Sequence, residues 1–183
     1  MTELDALAKE VGTSGRTLRR AAARGTIRYQ RPTERRIVVP PREYDYVRRH
    51  WPLFERLLHV LRTQPRVRFA VVFGSFARGD EQAASDVDLL VQLRSDGSGA
   101  RAELREQLET AAGRRVQLVG LDEAERSPLL LADVLRDGRV LVDRDGCWPT
   151  LKRRARAIER QAKEADRRLD EEAWAALEHL DAG

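Results

Sequence analysis

The stretch FGSFARGDEQAASDVDLLV, residues 73–91, sets the fold and chemistry of this chain. Gly74 and Ser75 close an apolar run, VRFAVVF at 67–73, with the length and composition of a strand buried on both faces. Asp86-Val87-Asp88 opens a second such run, DVDLLVQL at 86–93. Asp86 and Asp88 stand two apart, so on a strand both carboxylates leave from one face. Their Cα atoms are then about 7 Å apart. Two acids at that spacing can share a divalent cation and leave room for water and phosphate oxygens, the usual way of holding Mg²⁺. Gly74 lets the backbone approach a triphosphate with no Cβ in the way. Ser75 adds a hydroxyl donor and can open a helix whose N–H groups favour anions. Metal-assisted chemistry on phosphates needs positioning and charge neutralisation, both of which this set of residues can serve.

Outward from this stretch the chain alternates. RSDGSG at 94–99 reads as a loop, and 100–112 as a helix with Leu104 and Leu108 inward. RRVQLVGL at 114–121 reads as a strand. Asp122 is placed to cap a helix carrying Leu129, Leu130, Leu131, Val134 and Leu135. RVLVDRD at 139–145 is a last strand. Residues 149–180 predict one long, charged helix with a narrow apolar stripe at Leu151, Ala155, Ile158, Ala162, Ala165 and Leu169. The expected class is α+β: a mixed sheet flanked by helices.

The stretch matches the Gly-Ser…Asp-X-Asp signature of polymerase-β-like nucleotidyltransferases. It closely resembles their minimal bacterial subgroup, with the pattern G-S-x-x-x-G-x-x-x-x-x-S-D-x-D-L-x-V. Gly74, Ser75, Gly79, Ser85, Asp86, Asp88, Leu89 and Val91 meet every fixed position. The resemblance spans about residues 67–145. It implies Mg²⁺ on Asp86 and Asp88, which would be the catalytic pair. It also implies a nucleoside triphosphate, ATP above all, held by Gly74, Ser75, Gly79 and Ser85. Members of the subgroup are commonly antitoxins that add AMP to a partner toxin, often a HEPN-type RNase. Other relatives add nucleotides to tRNA ends. One position departs from the pattern. The family usually carries a third carboxylate on the next strand, where this chain has Gln117, on the same face as Val119. A neutral amide cannot act as a general base and holds a second metal poorly.

The front of the chain carries a different signal. LAKEVGTSGRTLRR at 7–20 resembles the bacterial helix-turn-helix. A first helix covers Glu3–Glu10, with Thr2 as its cap. Ala8 is small where two helices meet, and Gly12 takes the positive φ of the turn. Ser14 caps a second helix that runs to Arg24 and stops at Gly25. That helix would place Arg16, Thr17, Arg19 and Arg20 in the major groove. A hairpin with Arg28, Arg31, Arg35 and Arg36 resembles a wing for the phosphate backbone. Residues 1–66 hold 15 Lys+Arg and 7 Asp+Glu, a net of +8, whereas 67–183 carry 19 and 23, a net of −4. A basic front on a less basic chain suits nucleic acid. A helical bundle for protein contact, with a solvated Arg-rich surface, is the plainer alternative.

These segments divide the chain into a winged helix-turn-helix at 1–42, a connecting helix at 43–65, a minimal nucleotidyltransferase domain at 66–146 and a C-terminal helix at 147–183. Cys147 is the one cysteine, which excludes an internal disulfide and fits a reducing cytoplasm. No apolar run reaches the roughly 20 residues of a membrane span. His50, His59 and His179 show no metal spacing and are expected as surface or helix-face residues. Two functions remain open. One is a Mg-dependent nucleotidyltransferase acting on a protein or RNA acceptor, an antitoxin-type component that also binds the operator DNA of its own operon, conceivably as a homodimer. The other is a catalytically weak, nucleotide-sensing transcription regulator.

Overall fold

The structure, a computed structural model, describes residues 3–33, 36–82, 85–94 and 99–181. Helix α1 (Glu3–Glu10) and α2 (Gly15–Arg24) precede a hairpin of β1 (Gln30–Thr33) and β2 (Arg36–Val38). Helix α3 (Pro41–Thr63) leads into β3 (Val67–Phe73), α4 (Gly74–Arg78), β4 (Val87–Leu93), α5 (Ala100–Ala112) and β5 (Val116–Gly120). Then follow α6 (Leu121–Glu125), α7 (Pro128–Asp137), β6 (Arg139–Asp143) and α8 (Cys147–Asp181). The predicted elements are present within a few residues of their expected ends. Thr2, Arg35, residues 95–98 of the expected loop, and the side chains of Arg36 and His179 lie outside what is described.

The larger sheet has the order β5-β4-β3-β6. Strands β4 and β5 are parallel, joined through α5, and the other pairs are antiparallel, so the sheet is mixed. Alternation along the strands divides the core. Ala70, Val72, Leu89, Val91 and Val116 pack with α3, α5 and the N-terminal helices. Phe69, Val71, Phe73, Leu90 and Val140 pack with α7 and α8, where Trp148 approaches Phe69 at 6.4 Å.

Two expectations are corrected. Asp122 caps nothing: it lies inside α6, and the N–H of Gly120, just before that helix, donates to Glu123. The helix with Leu131, Val134 and Leu135 starts afresh at Pro128, capped by Ser127, because proline is favoured in a first turn and disfavoured further in. His50 is not on a surface; it is buried between Tyr46 and Phe76, with Glu81 at 3.3 Å. The boundary drawn at residue 42 falls within the first turn of α3, and one continuous core runs from Leu4 through Trp51 to Leu141.

The N-terminal segment therefore sits on the sheet rather than apart from it. The Thr26 hydroxyl donates to the Val140 carbonyl, the Val140 N–H to Gly25, and Arg24 to the Leu141 carbonyl. These bonds occupy the outer edge of β6, which would otherwise offer unpaired backbone groups.

Candidate active site

Phe73, the last residue of β3, lies opposite Asp88 of β4, and Asp88 lies beside Gln117 of β5. In-register neighbours project from the same face of a sheet. Asp88 and Gln117 thus share the α7–α8 face, at the sheet end where the chain turns from β3 into α4. Asp86 stands one residue before β4, whose first N–H, that of Val87, bonds to Arg115 O. Burial, then the charge of Asp86, raise the Asp88 carboxyl above the ordinary range, and Arg78 offsets this only in part. Arg115 stands 4.0 Å from Asp86 but is largely exposed. Two half-buried carboxylates crowding one spot are short of positive charge, and that donor set fits a divalent cation. Among the described residues no third acid, His or Cys joins them. Gln117 is exposed beside Asp88.

Gly74 has φ +70°, and a Cβ there would overlap Asp88 Oδ2. Only glycine combines the left-handed backbone with that approach. Gly74→Ala is expected to cost about 1–3 kcal/mol through backbone strain and to push Asp88 aside. Thermal melts and nucleotide titrations check this together: an unchanged melting temperature with unchanged binding would refute it.

The remaining residues are placed as follows. Ser75 is half-buried at the start of α4, and its carbonyl accepts the N–H of Gly79. A Cβ at Gly79 would meet Tyr46 Cδ2 at 2.8 Å. Ser85 Oγ accepts the Gln82 N–H at 2.9 Å and so closes the loop before Asp86. Arg78 bonds to Asp80 and Asp137. Asp137 is buried, yet hydrogen bonds from Arg136 and Arg78 outweigh that burial and lower its carboxyl below the ordinary range.

Sequence reasoning missed what holds α4. Tyr46 Oη donates to Phe76 O at 2.9 Å, and Arg139 Nε to Ala77 O at 2.7 Å. Arg139 also makes a two-armed pair with Glu43, at 2.6 and 3.0 Å, and its guanidinium lies 3.6 Å from the Tyr46 ring centroid. Burial pushes the Tyr46 phenol far up, so it remains a donor. One signal was available: a charged residue, Arg139, opening a strand whose next three residues, Val140, Leu141 and Val142, are apolar.

The residues expected to contact DNA divide. Ser14 caps α2 by accepting the Thr17 N–H at 3.1 Å, and their hydroxyls lie 2.9 Å apart. Arg16, Arg20 and Arg31 are exposed. Arg19 instead bonds to Asp5 of α1 at 2.8 Å. Arg28 is taken from the expected wing: its guanidinium donates to Asp137 O and its backbone N–H to Glu43.

The sheet order, the glycine-backed turn and the acid pair define a nucleotidyltransferase. The polymerase beta nucleotidyltransferase family model matches residues 55–146, and the chain belongs to that family. It is 41% identical over 70 residues to the protein adenylyltransferase MntA of Thermococcus cleftensis, covering 36% of this chain and 71% of that one. A toxin–antitoxin structure with AMP-PNP shares the fold at TM-score 0.54 and 22% identity, covering 66% of this chain and 98% of the other. A mutant MntA–HpeT toxin–antitoxin structure matches at 0.55 and 20%, with the same coverage. No helix among the described residues is long and apolar enough to cross a membrane.

Proposed function

We propose that the chain transfers AMP from ATP to a hydroxyl of a partner protein. The observation that carries this is Asp88 packed against Gly74 at the turn from β3 into α4, with the charge of Asp86 acting on its carboxyl. Asp86 and Asp88 would hold Mg²⁺, which when bound neutralises charge on the phosphates and on the departing pyrophosphate. Gly74 leaves the backbone clear for the triphosphate, and Ser75 donates its hydroxyl to a phosphate oxygen. The acceptor hydroxyl attacks the α-phosphorus in line and gives up its proton to water, while the bond from the α-phosphorus to the bridging oxygen breaks and pyrophosphate leaves with that oxygen. The protein acceptor follows from the likeness to a protein adenylyltransferase, and a HEPN-type toxin is the acceptor that the minimal subgroup suggests. The test is incubation with Mg²⁺, labelled ATP and either the product of the adjacent gene or total RNA. Label on protein supports the reading; label on RNA alone moves it to the tRNA-modifying type; label on neither rejects it.

Gln117 favours a second reading, a nucleotide-sensing regulator with slow chemistry, since a neutral amide lies beside Asp88 where the family usually has an acid. Gln117→Asp should raise the transfer rate about 10- to 100-fold if the site is short of one ligand. An unchanged rate would show that the amide is not what limits turnover.

The regulator reading and the antitoxin reading both include DNA binding through α2. With Arg19 tied to Asp5, exposed Arg16 and Arg20 are the base-reading pair. Arg20→Ala should weaken binding to upstream DNA by about 1–3 kcal/mol. Arg28→Ala should instead change stability more than affinity. Mobility shifts at several salt concentrations check both, and salt-independent binding would reject the DNA reading.

A further inference from the structure

Helix α2 is flanked by a cleft. Thr13 and Thr17 form one wall, and Glu55, His59 and Arg62 of α3 form the other, around a volume of about 370 Å³. The three α3 residues recur at i, i+4 and i+7, so they stand in one row on that helix. The cleft's place on α2 follows from rotation. Each helical residue turns the chain by about 100°, and Leu18 is the fully buried position. Arg16 and Arg20, two residues to either side of it, therefore point about 160° away from it, out of the protein. Thr17 and Arg24 point about 100–120° away, on the same flank as each other, with Arg20 at its border.

Positive charge gathers on this flank. Arg24 is fixed by donating to the Leu141 carbonyl at 2.6 Å. Burial, then the charges of Arg62 and Arg20, lower its guanidinium below the ordinary range. Arg144 adds a charge at the C-terminal end of α3, where it donates to the carbonyls of Pro65 and Arg62. Among the described residues Arg20 and Arg62 are exposed and have no acidic partner. Cations that the fold holds together are relieved by an anion. The flank position decides which anion. An α-helix of about 10–12 Å fills a major groove of about 12 Å, so the two phosphate strands of the duplex run along its flanks.

We infer that the cleft between α2 and α3 seats one strand of the sugar–phosphate backbone of duplex DNA, with Arg62 contacting phosphate from the α3 wall. This rests on DNA binding through α2 and extends the contact onto the helix that leads into the transferase sheet. Arg62 positions the duplex without reading its sequence, whereas Arg16 and Arg20 read bases. Glu55 is the one feature of the cleft that opposes a phosphate, and it supplies a test of the opposite sign.

Fluorescence anisotropy of the full chain, on an upstream duplex and on a scrambled duplex of equal length, tests this across a salt series. Arg62→Gln should lower the slope of log affinity against log salt by about 0.9, which weakens binding about eightfold at 0.1 M salt. The loss should be equal on the two duplexes, because phosphate contacts carry no sequence information. Glu55→Gln should tighten both by about two- to fivefold. Arg20→Ala should weaken the upstream duplex more than the scrambled one. Glu55 and Arg62 are exposed, so circular dichroism should be unchanged in both variants. Binding that responds to Arg20→Ala but to neither Arg62→Gln nor Glu55→Gln would overturn the cleft assignment and leave DNA binding through α2 standing. A loss in Arg62→Gln confined to the upstream duplex would overturn it too, since that marks a base contact. No salt-dependent binding of either duplex by the wild type would remove the cleft assignment and the DNA reading together.

Discussion

Asp86→Asn and Asp88→Asn are each expected to cut nucleotide transfer by about 10²–10³-fold or more, the range seen when one electrostatic group of a reacting centre is removed. Fold stability should not follow activity. The Asp88 carboxyl is raised by burial and by Asp86, so its ionised form is disfavoured in the folded chain. A carboxyl raised on folding contributes stability at low pH that is lost as pH rises through its folded value. At neutral pH the charged pair therefore opposes folding, and a neutral amide relieves that. Transfer assays paired with urea unfolding read both consequences. Lost transfer with equal or greater stability places the acids in the chemistry. Lost transfer with a collapsed fold would assign them to structure, and intact transfer would remove them from the site.

How much of this was legible in the sequence depends on range. The strands at 67–73 and 87–93 were legible because burial on both faces leaves a mostly apolar run, broken only by Arg68 in the first and by Asp88 and Gln92 in the second. The candidate site was visible because Gly74-Ser75 directly follow β3 and Asp86-X-Asp88 lead into its neighbour β4, so the fifteen residues 74–88 hold both halves. The split between α6 and α7 was partly legible, since Ser127-Pro128 is a start signal, but the leucines that follow suggest one longer helix. The N-terminal contacts were not legible. Arg28 looks like a wing arginine, and nothing near it announces the Asp137 carbonyl, 109 residues later, to which it donates. Arg19 likewise reads as groove-facing until Asp5 of α1 lies beside it. Local composition cannot distinguish an arginine waiting for phosphate from one already satisfied by protein.

The Glu43–Arg139 pair is the sharpest such case and yields the second large effect. Its partners are 96 residues apart, and both are nearly excluded from solvent. Arg139 bonds simultaneously to Glu43, to Thr26 O behind α2, and to Ala77 O at the end of α4. One guanidinium thus joins the N-terminal segment, α3 and the turn that carries Gly74-Ser75. Removing one member strands a buried charge, which costs about 3–5 kcal/mol. Arg139→Met and Glu43→Leu should each lower the melting temperature by about 10 °C in a chain of this size. Arg139→Met should be the worse, because it also leaves the Ala77 and Thr26 carbonyls without their donor. The double variant separates charge from architecture. If the stranded charge dominates, Glu43→Leu with Arg139→Met recovers stability relative to either single change. If the hydrogen bonds to α4 and Thr26 dominate, it stays as low as Arg139→Met. In that second outcome nucleotide affinity should fall as well, because α4 loses the donor beneath it while Asp86 and Asp88 remain. Equal melting temperatures for wild type and all three variants would refute the buried network itself.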